Sequence, residues 1–242
     1  MDNLLKIFNG VMNKKICFAS VDVEDGEADH LDEILNIFKR YDIPATLFVT
    51  GQVLEKFHDL AKDWARDYEI ACHSFTHRFW NLINNEERKK ELEAFVSLYF
   101  NIFQKKPEGF RAPSHIIDEK GIKLLEEKGF LYDSSVVPHY PPFKKYRGYK
   151  GPKPLLPHYV NGLKILEIPV SGQMFGIPLA GAWIRKLPGW FYKILFFIYC
   201  PQFITLSFHS WEKSEKFEEI IKLLKSKNYQ FLNGAEIYQN YR

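Results

Sequence analysis

The chain of 242 residues is poor in cysteine and carries little net charge. Its three cysteines, Cys17, Cys72 and Cys200, are too few and too scattered for a disulfide framework, so we expect a reducing compartment. A formal net charge of +3 is too small to indicate a nucleic-acid partner. Residues 1–10 carry Asp2 and lack a continuous apolar segment, so the sequence predicts no secretion signal and a cytoplasmic location.

The sequence also lacks a linker of flexible composition and an internal repeat. We therefore expect one domain that spans residues 1–242. Apolar residues make up 46% of the chain and aromatic residues 16%, which supplies a large core and excludes a disordered protein.

Short apolar runs alternate with segments of helical periodicity. The runs predict strands at 16–23, 45–50, 70–72, 109–111, 131–133, 163–170, 203–208 and 230–232. The periodic segments predict helices at 30–40, 51–66, 85–103, 119–128 and 213–225. This alternation is typical of a parallel sheet, so the sequence predicts an α/β fold.

Polar side chains lie at or just beyond the carboxyl ends of five predicted strands. They are Asp22, Glu24, His73, Arg111, Asp133 and His209. In a β/α barrel, catalytic residues from several strands converge at that edge of the sheet. We therefore favour a barrel over an open sheet.

Two histidines, His73 and His77, stand four residues apart directly after a short apolar run. On one helical turn, this spacing would point both imidazole rings the same way. The pair alone is weak evidence for a metal site, but the acidic cluster 22–25 also closes an apolar strand. Two histidines and a carboxylate leave a coordination position open for water, as in hydrolytic metal sites.

Five segments of the chain, in order, resemble the motifs of the polysaccharide deacetylase family, the NodB-homology domain of carbohydrate esterases. The segments are 20–25, 73–77, 110–113, 132–135 and 206–209. One such motif is weak evidence, whereas five in the family's order are strong. The resemblance covers nearly the whole chain and implies a distorted β/α barrel of about seven strands.

The resemblance also implies an activity and a cofactor. The expected protein is an N-deacetylase that hydrolyses a linear amide and removes acetyl groups from an N-acetylated glycan or polysaccharide. The expected cofactor is a divalent metal, with zinc favoured, and Glu24, His73 and His77 would bind it.

Four further residues inherit catalytic roles from the resemblance. Asp22 would accept the proton of the attacking water, and Arg111 would hold Asp22 in its ionised form. His209 would protonate the departing amine, which leaves poorly without a proton. Asp133 would orient or tune His209, although the run 133–135 is equally typical of a turn.

The first motif departs from the family's usual pair of adjacent aspartates, because Val23 follows Asp22. Side chains of a strand alternate with a period of two, so Asp22 and Glu24 fall on one face if the strand continues. This favours Glu24 as the metal ligand. Asp25 is the competitor if the strand ends at Asp22.

Two other functions remain open from the sequence. Relatives of this fold open cyclic amides such as allantoin and related ureides, and a carbohydrate-binding protein with an inactive centre would share the architecture. The complete set of a proton acceptor, ligands and a proton donor favours an enzyme over a binding protein. Cys72, beside His73, is interpreted as a small core residue rather than a ligand.

Two segments stand outside the motifs. Residues 137–162 are rich in proline and interleave aromatic with basic residues, which suggests either a lid over the site or a solvated connector. Residues 183–200 are rich in apolar residues, but their uninterrupted apolar run, 194–200, is far shorter than the ~20 residues of a spanning helix. We expect either a helix packed on the barrel or a peripheral membrane contact.

Overall fold

The computed structural model describes residues 14–24, 31–138, 148–170, 186–212 and 214–242. Several positions discussed above lie outside these ranges. They are residues 1–10, Asp25, much of the proline-rich segment, and residues 183–185.

Nine strands form a single sheet in the part of the chain that the structure describes. They are β1 (Lys15–Val23), β2 (Thr46–Val49), β3 (Glu69–Cys72), β4 (Gly109–Phe110), β5 (Tyr132–Asp133), β6 (His158–Tyr159), β7 (Leu166–Glu167), β8 (Phe203–His209) and β9 (Tyr229–Leu232). Their order is β6-β7-β5-β4-β3-β2-β1-β8, and β9 pairs with the first half of β1. The pairings are parallel except for the antiparallel pair β6–β7.

Helices connect most of these strands, so the α/β prediction is confirmed. They are α1 (Leu31–Tyr41), α2 (Gly51–Lys56), α3 (His58–Trp64), α4 (Asn85–Phe103), α5 (Glu119–Glu127), α6 (Gly189–Ile198), α7 (Glu215–Ser226) and α8 (Gly234–Tyr241). In the described ranges, no helix has both the length and the apolar composition required to cross a bilayer.

The boundaries of several elements differ from the prediction. The helix expected at 51–66 is interrupted at Phe57, whose φ of −120° and ψ of 34° are not helical, so it becomes α2 and α3. The strand expected at 163–170 pairs only over Leu166–Glu167. The two-residue strand β6 and the helix α8 were not predicted, because neither has a long periodic pattern.

Side chains of β1 alternate between two apolar cores, as the pleat of a strand requires. Phe18 packs in an inner core with Phe48 and Tyr132, on the concave side of the sheet. Ala19 and Val21 belong to an outer core, between the sheet and the helices. Buried on both faces, β1 holds the centre of the fold.

The sheet curls so that β8 approaches the segment after β7. The Thr205 hydroxyl donates a hydrogen bond of 2.6 Å to the carbonyl oxygen of Pro169. Within the described ranges, no backbone ladder joins β7 to β8, so the closure is incomplete. This matches the expected distorted barrel, although nine strands rather than about seven take part.

A buried polar cluster closes the amino-terminal edge of the sheet. The Glu69 carboxylate accepts hydrogen bonds from the Thr46 hydroxyl at 2.7 Å, the Tyr132 hydroxyl at 2.8 Å and the Ala235 amide at 3.0 Å. A Cβ atom on Gly234 would stand 2.2 Å from the Tyr132 hydroxyl oxygen, so only glycine fits there. Because this cluster fills the amino-terminal edge of the sheet, a functional site is expected at the carboxyl-terminal edge.

Candidate active site

The structure gathers the predicted polar residues at the carboxyl-terminal edge of the sheet. Glu24 follows β1 and His73 follows β3 by one residue each. Arg111 likewise follows β4, and His209 ends β8. Because parallel strands end at a common edge, residues distant in sequence become neighbours.

Asp22 and Arg111 form an ion pair inside the curled sheet. The guanidinium Nη1 lies 2.7 Å from Asp22 Oδ1, and both side chains are buried. Burial opposes ionisation of Asp22, but the positive charge of Arg111 and the nearby histidines together outweigh burial and hold the pKa of this carboxyl below its usual range. Asp22 is therefore a carboxylate at neutral pH.

Arg111 is held by several groups besides Asp22. Its Nη1 donates to the hydroxyls of Ser20 at 2.9 Å and Ser207 at 3.2 Å, and its Nε donates to the Ser134 carbonyl at 3.1 Å. The guanidinium also lies over the Phe48 ring, 4.0 Å from the centroid. These contacts satisfy the buried charge, so Arg111 has a single position.

Glu24, His73 and His77 form a group that could hold a metal ion. One ligand atom from each lies within 4.8 Å of the others. His73 Nδ1 lies 2.7 Å from the Arg111 carbonyl oxygen, so this nitrogen carries the proton and Nε2 is left for a ligand bond. Burial lowers the pKa of His73 to about 4, which keeps the imidazole in the neutral form that binds metal.

The donor set fits a hydrolytic metal. Two imidazoles and one carboxylate suit zinc and leave room for water or substrate. Glu24 Oε2 and His77 Nε2 are already in direct contact, as partners aimed at a shared point would be. The period-two argument for Glu24 is supported by this placement, whereas Asp25 lies outside the described residues.

The segment 73–77 is a loop and not a helical turn. Ser74 and His77 have φ values of 65° and 58°, in the left-handed region that non-glycine residues seldom adopt. The two rings nevertheless converge, with centroids 5.0 Å apart. This unfavourable backbone conformation requires hydrogen bonds from residues outside the segment.

Glu91, a buried residue of α4 that the sequence analysis missed, stabilises this loop conformation. Its Oε2 accepts from the Phe75 amide at 2.9 Å, the Thr76 amide at 2.7 Å and the Ser74 hydroxyl at 3.1 Å. Its Oε1 accepts from the Thr76 hydroxyl at 2.6 Å. One feature of the sequence could have identified Glu91: it is a carboxylate on the apolar, buried stripe of α4, next to Leu92.

His209 reaches the same cluster from β8. Its Nε2 lies 3.4 Å from Glu24 Oε1, and its ring stacks on Trp211 with centroids 4.8 Å apart. Glu212 accepts from the His209 amide at 3.0 Å and places Oε2 3.6 Å from His209 Nδ1. Burial disfavours the imidazolium, but Glu212 and Asp22 outweigh it and raise the pKa of His209.

The expected contact between Asp133 and His209 is replaced by the contact with Glu212. Across the described chain, no hydrogen bond or ion pair joins Asp133 to His209. The reason is that Asp133 Oδ1 accepts from the Ser135 hydroxyl at 2.5 Å, and its carboxyl faces Glu167 of β7. A catalytic role for Asp133 therefore stays a prediction without a contact to support it.

Asp133 and Glu167 form a buried carboxyl pair. Both side chains are inaccessible, and no N–H or O–H group of the described residues donates to Asp133 Oδ2 or Glu167 Oε2. A proton shared between the two carboxyls would satisfy both atoms. Burial accordingly raises the pKa of Asp133 to about 6 and that of Glu167 above its usual range.

His115 also lies close to Arg111 and Asp22. Burial lowers the pKa of His115 to about 3, and Arg111 lowers it further. Ser114 and His115 both have left-handed φ values, 54° and 58°. Cys72 is buried among apolar side chains and outside the metal-binding group, which confirms its interpretation as a core residue.

The sequence profile of the polysaccharide deacetylase family matches residues 12–132. A peptidoglycan-N-acetylglucosamine deacetylase from Bacillus cereus is 35% identical over 107 residues, which cover 44% of this chain and 38% of that protein. The match thus spans about two fifths of the length of this curated relative.

Solved structures share the fold over almost the whole chain. An allantoinase superposes with a TM-score of 0.70 at 14% identity, covering 93% of this chain and 89% of the other. A CE4-family pseudoenzyme from Bacillus anthracis superposes with a TM-score of 0.66 at 17% identity, covering 93% and 66%. At these identities the likeness establishes the fold alone.

Glu91→Gln is expected to weaken zinc binding by about 10–100-fold, the usual cost of losing a group that supports metal ligands. Glutamine offers one neutral carbonyl oxygen in place of a carboxylate, so the hydrogen bonds that Phe75 and Thr76 donate lose their charge assistance and the loop 73–77 is held less firmly. Competition with a chromophoric chelator measures the affinity. Glu93→Gln, an exposed carboxylate on the same helix, is the matched control. Equal affinities of the Glu91 variant and the wild type would contradict this role.

Between pH 5 and pH 8, the wild type is expected to lose about 1–3 kcal/mol of unfolding free energy that the variant Asp133→Asn keeps. The raised pKa means that the folded state keeps a proton which an unfolded aspartate, of pKa about 4, releases. The stabilisation is full below about pH 4 and is lost as the pH rises through about 6. Asparagine keeps the hydrogen bond without the titrating proton.

Urea unfolding at the two pH values measures this difference. Asp63→Asn, at an exposed position, is the control. An unchanged pH dependence in the Asp133 variant would show that the pair does not share a proton.

Proposed function

The chain belongs to the polysaccharide deacetylase family, and on that premise we propose that it is a metal-dependent hydrolase that removes acetyl groups from an N-acetylated glycan. One observation carries the proposal. The candidate ligand Glu24 contacts both His77 and His209, and Asp22, which pairs with Arg111, lies on β1 two residues before Glu24. This arrangement supports a proton acceptor, a ligand set and a proton donor at one site.

Glu24, His73 and His77 would hold the metal, and we favour zinc for this donor set. When bound, such an ion polarises a substrate carbonyl and lowers the pKa of water. The proposed general base is Asp22. Arg111 keeps the Asp22 carboxylate ionised. Both side chains are buried, so solvent does not compete for the Asp22 oxygen that Arg111 binds.

His209 is the proposed general acid for the departing amine. Its raised pKa favours the protonated ring, and its Nε2 lies 3.4 Å from Glu24 in the cluster. Glu212 stabilises that charge from the other ring nitrogen. An amide needs this proton delivery, because an unprotonated amine is a poor leaving group.

Further proposals concern the substrate class, the domain organisation and the location of the protein. The substrate class comes from the relatives' names, which are those of peptidoglycan deacetylases. We also propose that residues 1–242 form one catalytic domain and that the protein works in the cytoplasm, since all three cysteines are free thiols.

Acetate release from chitooligosaccharides tests the proposed function. Chelation is expected to abolish release and added zinc to restore it. Asp22→Asn and His209→Ala are each expected to lower the rate by at least about 100-fold, because each removes one proton-transfer group. His73→Ala is expected to lower zinc affinity as well as the rate.

His158→Ala is the control for the histidine variants, since His158 lies on β6 and bonds to the Leu156 carbonyl at 2.9 Å. Undiminished release by any of the three site variants would contradict the assigned roles. Ring opening of ureides without acetate release would instead favour the cyclic-amide hydrolase, whose fold this chain shares.

A further inference from the structure

The outward face of α6 is apolar. Trp190 is 62% exposed, Ile194 49%, Phe197 84% and Ile198 64%, and Lys193 is exposed among them. These positions follow the i, i+4 and i+3 spacing of one helical face. The opposite face, with Tyr192, Leu195 and Phe196, is buried in the outer core. The helix is thus apolar on both faces, and the described residues cover only one of them.

The neighbouring helix α7 shows what an ordinary solvated face looks like in this protein. Its exposed positions include Glu215, Lys216, Glu219 and Lys222, which alternate acidic and basic side chains. The two helices touch, since Glu219 lies against Gly189. The apolar face of α6 is therefore a local feature of one helix and not of the whole surface.

The chain segment that contains α6 carries positive charge only, although Glu219 of α7 lies against the first residue of α6. Residues 168–211 contain no aspartate or glutamate, and Lys186 and Lys193 are exposed. The chain as a whole is 26% charged and nearly balanced, so a stretch of this length without a carboxylate is unusual. Such a surface is complementary to an anionic partner.

An apolar groove continues the surface beyond the end of α6. It has a volume of about 710 Å³ and is lined by segments 154–158 and 199–203, including the exposed Leu155 and Tyr199. The connection 199–202 leads into the start of β8, whereas His209 ends that strand. The groove and the candidate active site therefore lie at opposite ends of β8.

We propose that α6 and this groove dock the protein on an anionic lipid bilayer. Aromatic and aliphatic side chains around a lysine suit the boundary between headgroups and acyl chains, where the lysine reaches the phosphates. The ten residues of α6 are too short to cross, so the helix lies in the plane of the interface. The docking surface is separate from the catalytic groups, so its failure would leave the proposed hydrolysis intact.

Flotation of the full chain with vesicles tests this docking. We expect binding to vesicles of equal parts phosphatidylglycerol and phosphatidylcholine, and much weaker binding to phosphatidylcholine alone or in high salt. The double variant Phe197→Ser, Ile198→Ser is expected to bind at least about tenfold more weakly, because two large apolar contacts are lost. Leu60→Ser with Phe100→Ser is the control, since these side chains are 47% and 48% exposed on other helices.

Three results would overturn the proposal. One is the absence of flotation with anionic vesicles, and another is equal flotation of the α6 variant and its control. The third is self-association of the wild type that the α6 variant abolishes, without vesicle binding, which would assign this face to a second copy of the chain. Acetate release by both variants, measured on a water-soluble substrate, is expected to equal that of the wild type and so reports that they are folded.

Discussion

The buried ion pair between Asp22 and Arg111 is the interaction on which the site depends. Each charge would be costly alone inside the curled sheet, and a bond of 2.7 Å with additional hydroxyl partners offsets that cost. The pair joins β1 to the end of β4, across the concave side. It also fixes His73, because the Arg111 carbonyl is the partner of that imidazole. Arg111 therefore supports both Asp22, the proposed base, and His73, a proposed metal ligand.

A second constraint acts on the loop that carries the histidines. Its left-handed residues would relax in isolation, and the Glu91 carboxylate holds them through four hydrogen bonds. Such support from outside the ligand set is what gives metal sites their geometry. Glu212 does the same for His209 on the other side of the cluster. The site thus depends on carboxylates that never need to touch a substrate.

The sequence predicts the parts of this site that follow from the period of strands. Polar residues at strand ends had to meet at one edge, and the period of two favoured Glu24. It could not predict Glu91 or Glu212 as supports, because a contact between a helix and a loop depends on packing rather than on spacing. For the same reason Asp133 was given the contact that Glu212 makes. The break of the helix at Phe57 also has no signal in the apolar pattern.

The central claim is that Glu24, His73 and His77 hold an ion beside Asp22 and His209. A crystal grown with zinc and soaked in acetate, the expected product, tests it most directly. We predict an anomalous peak at zinc within coordinating distance of His73 Nε2, His77 and Glu24, with acetate between the ion and the side chains of Asp22 and His209. A zinc peak elsewhere, or acetate bound away from Asp22, would contradict the account.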